Sequence, residues 1–145
     1  MSKTNTWETG LLELLFTNTT FSGVGDATGL PGAATAGSLY FSLHTADPGE
    51  AGDQTTSEIA YTSYARVAVA RSGAGWTVTG NAVATDANVD FPAGTGGSGT
   101  ATHFGIGTAS SGAGKLLYKG AISPTIVCGS GVTPRLNAGT VVTED

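Results

Sequence analysis

The period of apolar positions changes once along the chain. Near the N-terminus, Trp7, Leu11, Leu14 and Leu15 recur at i, i+4, i+7 and i+8, one face of a helix. Thr4 or Asn5 is placed to cap it, and Glu8 falls in the first turn, where the macrodipole favours an acid. Thr17-Asn18-Thr19-Thr20 ends it. A helix this short needs a surface, because isolated helices under ~12–15 residues are marginal in water. That surface is either the rest of the chain or a partner subunit, which makes Trp7, Leu11, Leu14 and Leu15 candidate partner-contact residues. From Phe21 to Gly37 the chain has no period and reads as a long loop or arm.

From Ser38 onward the period is two. Ser38–His44 (SLYFSLH) sets Leu39, Phe41 and Leu43 on one face and Tyr40, Ser42 and His44 on the other. Tyr64–Arg71 (YARVAVAR) alternates in the same way. Trp76–Thr79, Ala82–Thr85, Val89–Phe91, Thr102–Ile106, Lys115–Ile122, Ile126–Cys128, Thr133–Leu136 and Thr140–Val142 continue the series between turn signals. Many short strands with regular turns predict an antiparallel sandwich or barrel. The expected organisation is residues 1–37 as helix and Gly-rich arm, and residues 38–145 as one β-sandwich unit.

Composition sharpens this picture. Charged residues are 12% of the chain, against about 25% in ordinary globular proteins. A lightly charged surface suits a protein covered by neighbours. The net charge is -5, and no Lys/Arg cluster is present, so direct nucleic-acid binding is not expected. The acids concentrate before Tyr64 and the bases after it. That asymmetry could steer a contact with another chain. Arg66 and Arg71 lie five apart on YARVAVAR, so alternation puts them on opposite faces; one of them is expected to stand free for an acidic partner. Cys128 is the single cysteine, which excludes an internal disulfide. MSKTNTWETGLLELLF does not read as a signal peptide, and no segment reaches the ~20 apolar residues of a membrane span. Synthesis and folding in the cytoplasm, with no membrane partner, is the expectation.

The candidate chemistry is thin. His44-Thr45-Ala46-Asp47-Pro48-Gly49-Glu50-Ala51-Gly52-Asp53 sets a histidine beside three acids. Asp47-Pro48-Gly49 is turn chemistry. The acids lack the dense alternation of a calcium loop, and a zinc site would need His103 and Cys128 from far along the chain. Gly112-Ala113-Gly114-Lys115 lacks the remaining glycine and hydroxyl of a phosphate loop, since Ala109 and Leu116 occupy those places. His103 reads as a sheet-face histidine satisfied by a Thr or Tyr. Trp76 and Tyr64 read as packing residues rather than a sugar platform. No catalytic residue, metal or cofactor is therefore expected.

Three stretches in order, H-T-A-D-P-G-E-A-G, S-E-I-A-Y-T-S-Y-A-R-V-A-V-A-R and A-G-W-T-V-T-G-N, resemble a family of small tailed-phage structural proteins, often described as tail-fibre proteins. Some members are similar to cement, or decoration, proteins of phage heads. The resemblance runs from about Ser38 to Val142, and Gly23–Gly37 is its least family-like part. It implies a jelly-roll-like antiparallel β-sandwich without enzymatic activity, placed on a virion as an oligomer, with a homodimer favoured over a trimer. Strand edges that would aggregate alone can be covered by a neighbour's strand. The functional expectation is a capsid cement protein on the virion surface that bridges major capsid protein subunits. The alternative is a tail or tail-fibre module that binds a host receptor or glycan.

Overall fold

The computed structural model describes residues 2–144. Helix α1 spans Asn5–Leu12 and runs into a single π-helical turn, Glu13–Thr17. Among the described residues nine strands follow: β1 Ser38–His44, β2 Val67–Ala70, β3 Trp76–Thr79, β4 Ala82–Thr85, β5 Val89–Asp90, β6 Ser98–Gly107, β7 Leu116–Gly129, β8 Arg135–Leu136 and β9 Val141–Thr143. They form antiparallel sheets ordered β2-β1-β6-β7, β3-β4-β9 and β5-β8. The protein is thus mostly antiparallel β with one short N-terminal helix. The described residues divide into two compact units: 2–38, 70–88 and 137–144 in the first, and 39–69 and 89–136 in the second.

In the first unit the helix closes one side of the β3-β4-β9 sheet. The face it buries is not the one the apolar spacing picks out. Glu8, Gly10, Leu12 and Phe16 are buried, whereas Trp7 is 37% exposed and Leu11, Leu14 and Leu15 are half-buried. Phe16 meets Trp76 edge-on at 4.6 Å between ring centroids. The buried stripe begins with a glutamate, so hydropathy alone rotates the assignment onto the adjacent face. The π turn then shifts the phase again, because its wider winding carries Phe16 rather than Leu15 inward. Thr4 is the N-cap as expected, but its side chain makes no capping bond. Asn18, at φ 59°, ends the turn in the left-handed conformation.

The arm is a pinned loop. Phe21 and Leu30 exchange two backbone bonds of 2.9 Å, and Asp26 Oδ1 accepts the Thr28 and Gly29 N–H groups. The Asn18 side chain clamps both the N–H and the carbonyl of Ala33 at 2.8 Å. Phe21 then lies over Gly10, where a Cβ would come within 2.6 Å of the ring, and over Trp7 at 5.4 Å. The Glu144 N–H donates to the Asn81 carbonyl, the Asn81 side-chain amide donates to the Glu144 carbonyl, and a Lys3–Glu144 ion pair completes the hold on the C-terminal strand.

In the second unit β1 is central and buried on both faces. Leu39, Phe41 and Leu43 join Ile59, Ala101, Phe104 and Ile106 in the core. Tyr61 meets Tyr64 edge-on, Tyr64 stacks on Phe91, and the Tyr64 hydroxyl accepts the Leu43 N–H, so the β5-β8 ribbon is tied to the four-stranded sheet in a sandwich-like layer. The opposite face of β1 carries Ser42 and His44, both fully buried. They fit because Gly105 lies opposite Ser42 in the register; a Cβ there would sit 2.8 Å from both side chains. Lys115–Ile122 and Ile126–Cys128, expected as separate strands, are one strand, β7. Ala101 pairs with Ile126 and His103 with Ala121, so residues 122–125 bulge opposite Thr102 alone. Ser123-Pro124 in that bulge gives the sequence its false break.

Candidate functional site

The stretch around His44 folds as a turn. Asp47 Oδ1 accepts the Gly49 N–H at 2.8 Å, and Gly49 supplies a φ of +74°. Lys119 of β7 reaches both Asp47 at 3.0 Å and Glu50 at 3.2 Å. The Gly49 N–H and then Lys119 hold the Asp47 carboxyl below its usual range, and both acids raise Lys119. Asp53 caps the next turn through the Thr55 N–H and hydroxyl at 2.8 and 2.6 Å. The three acids therefore serve loop geometry and one lysine. Among the described residues, no three of His, Cys, Asp and Glu converge as a metal site would need.

His44 is the most engaged polar group. Its Nδ1 lies 2.8 Å from the Thr56 carbonyl, which only accepts, so Nδ1 carries the proton. Nε2 is then left to accept the Ser42 hydroxyl at 2.8 Å. Burial holds the imidazole below its ordinary pKa. A hydroxyl on an imidazole is a nucleophile–base pair in outline. Both side chains, however, are fully buried under the 53–58 loop, and Gln54, also fully buried, packs against Gly107 and Gly114 beside them. The pair fastens that loop to β1. His103, opposite His44 in the register, bonds Thr102 Oγ1 at 2.9 Å, the local satisfaction expected of a sheet-face histidine.

The two arginines differ from expectation, because neither stands free. Arg66 grips Glu58 with Nε and Nη2, each at 2.7 Å, and donates to the Ala109 and Gly112 carbonyls at 3.0 and 2.8 Å. Its side chain is 2% exposed, and the Glu58 contact raises its pKa further. The Tyr64 hydroxyl donates to the same carboxylate at 2.9 Å, and burial raises that phenol strongly. Arg71 donates to the Leu14, Leu15 and Ala36 carbonyls at 2.7, 2.6 and 3.0 Å, where the π turn leaves acceptors without helical partners. Arg135 pairs with Asp90. The split of acids and bases along the sequence thus becomes a set of internal pairs: Lys3 with Glu144, Arg66 with Glu58, Lys119 with Asp47 and Glu50.

Among the described residues few large apolar side chains stand exposed, on a surface otherwise made mostly of small and uncharged polar residues. Trp7, Leu11, Leu14 and Leu15 form a half-exposed stripe on the helix, continued at Trp7 by Phe21. Val141 on β9 is 53% exposed and Val127 on β7 is 68% exposed. Trp76 is 1% exposed and Tyr64 is half-buried, so neither offers a stacking platform. Glu58, Lys119 and Val127 were not singled out by motif. Glu58 finds its partners beyond the next turn, at Tyr64 and Arg66, Lys119 finds its own on the far side of the chain at Asp47 and Glu50, and Val127 matters only because β7 lies at a sheet edge. No helix among the described residues is long and apolar enough to cross a membrane.

None of the curated proteins compared matches this chain. The sequence profile of the family described as Podophage GP4 fiber I protein gp80 matches residues 2–144, almost the whole chain and well beyond the stretch from Ser38 that carries the resemblance in sequence. A mostly antiparallel β chain matched over almost its whole length therefore belongs to the podophage GP4 fiber I protein gp80 family, structural fibre proteins of the phage virion.

Proposed function

We propose that this protein is a component of a podophage tail fibre that works by protein–protein contact, without catalysis, cofactor or metal. The observation that carries the reading is the family match over residues 2–144. Support for contact rather than chemistry comes from the closed Ser42–His44 pair and from arginines bonded within the chain. Host receptor or glycan contact is the outward role that goes with this reading. Neither nucleic acid nor membrane is proposed as a partner, and a net charge of -5 opposes the approach of phosphate.

The competing placement is the capsid surface, with the chain bridging major capsid protein subunits as cement. The half-exposed Trp7-Leu11-Leu14-Leu15 stripe favours it, as a face able to dock on a lattice. Virions assembled without this protein separate the two. The fibre reading predicts particles that retain DNA on heating and at low ionic strength but adsorb poorly to the host. Particles that adsorb normally yet lose DNA would overturn it in favour of cement.

A further inference from the structure

β7 is the longest strand of the molecule, 14 residues, and it closes one side of its sheet, pairing only with β6. A terminal strand presents a row of main-chain donors and acceptors, and natural proteins guard such rows with charge, proline or bulges. The guards on β7 are unevenly placed. Lys119, tied to Asp47 and Glu50, stands over the first half, and Pro124, which has no N–H, sits in the bulge at 122–125. Beyond it, Ile126–Cys128 has neither guard, while the Gly129 carbonyl already accepts the Val132 N–H at 3.1 Å. That stretch is also held straight: Ser98–Ala101 pairs with it residue for residue, Cys128 and Ala101 are buried beneath, and Ile59 packs where a Cβ on Gly99 would come within 3.0 Å. Val127 points outward from its middle and is the most exposed of the large apolar residues.

We propose that this half of β7 pairs antiparallel with the same segment of a second copy of the chain, across a two-fold axis at Val127. The identity of the occupant follows from symmetry and charge. Antiparallel pairing of identical segments is self-complementary, so one edge serves both partners. Val127 then faces Val127 and Ile126 faces Cys128, and the Gly129 carbonyl, bonded to the Val132 N–H of its own chain, ends the ladder there. No charged residue occurs between Lys119 and Arg135, so copies of a chain with net charge -5 meet here without facing like charges. Pro124 stops the ladder at one end, and Gly131, at φ +77°, turns the chain away at the other. The contact is therefore short and weak for a single pair, and it gains strength where many copies stand side by side. It holds for a fibre and for a capsid alike, so its failure leaves the placement on the virion untouched.

Sedimentation of the full chain over a range of concentrations tests it, with hydrogen exchange read at residues 125–129. The expected result is a reversible monomer–dimer equilibrium in which alternate amides of 125–129 slow as concentration rises. Val127→Lys should abolish the dimer and leave the melting temperature unchanged, and Val127→Ser should weaken the dimer. A wild-type chain that stays monomeric to millimolar concentration would overturn the proposal. So would a dimer that survives both substitutions with 125–129 still exchanging freely.

Discussion

The face that the N-terminal helix buries can be tested by a pair of substitutions one residue apart. Phe16 is fully buried, with its ring edge-on to Trp76 at 4.6 Å. Replacing a buried Phe with Ala costs about 3–5 kcal/mol, through lost transfer energy and the cavity left behind. Loss of the aromatic pair adds about 0.5–1.5 kcal/mol at most, and the two overlap. Phe16→Ala should therefore destabilise by about 4 kcal/mol. With an unfolding entropy of about 2.1 cal/mol/K per residue, that is a fall in Tm of roughly 10–15 °C. Leu15 is only half-buried and leaves no closed cavity, so Leu15→Ala should cost about 1 kcal/mol, a few degrees. Thermal melts by circular dichroism, with urea midpoints as a check, read both. Equal losses, or a larger loss for Leu15→Ala, would refute the assignment of Leu12 and Phe16 as the docked face and return it to the one led by Trp7.

Three further outcomes follow from the second unit. Arg66→Met leaves the Glu58 carboxylate, 17% exposed, with Tyr64 alone; the loss should be about 3 kcal/mol, with faster proteolysis at 109–112, and Arg66→Met with Glu58→Gln should recover part of it. His44 has its pKa lowered by burial, with the Thr56 bond and Glu58 opposing and Arg66 and His103 adding to the shift, so the unfolded chain binds this proton first. Stability from this group is whole above the ordinary imidazole pKa of about 6.5 and declines as pH falls from there toward the lowered folded value. Urea midpoints should be lower at pH 5 than at pH 7.5, with the difference reduced in His44→Asn; a flat wild-type profile would contradict this. Gly105→Ala forces a Cβ to within 2.8 Å of Ser42 Oγ and His44 Nε2 and 2.6 Å of Leu116 Cδ1, so about 1–3 kcal/mol should be lost by the same melts.

Strand positions were largely legible because alternation and turn residues act locally. Ser38–His44, Trp76–Thr79 and Ala82–Thr85 are strands with the bounds the pattern predicts. The pattern failed where a distant group decides. The 53–58 loop covers the second face of β1, so Ser42 and His44, polar by spacing, are buried. A four-residue bulge absorbs Pro124 inside a single strand, β7. Glu8, a charge in the buried stripe, hid the true face of the helix. The arginines looked available because their partners are the Glu58 carboxylate and the carbonyls of 14, 15, 36, 109 and 112, which no local pattern brings near. The turn at Asp47-Pro48-Gly49 was readable because its bond, Gly49 N–H to Asp47, spans two residues.

If this chain is a fibre component of the virion, its position on the particle will show it. Infectious particles carrying a small tag beyond Glu144, decorated with gold-labelled antibody and imaged by electron microscopy, give that position. Gold should be confined to appendages at the tail vertex. Gold spread evenly over the faces of the head would contradict it and place the chain among the cement proteins.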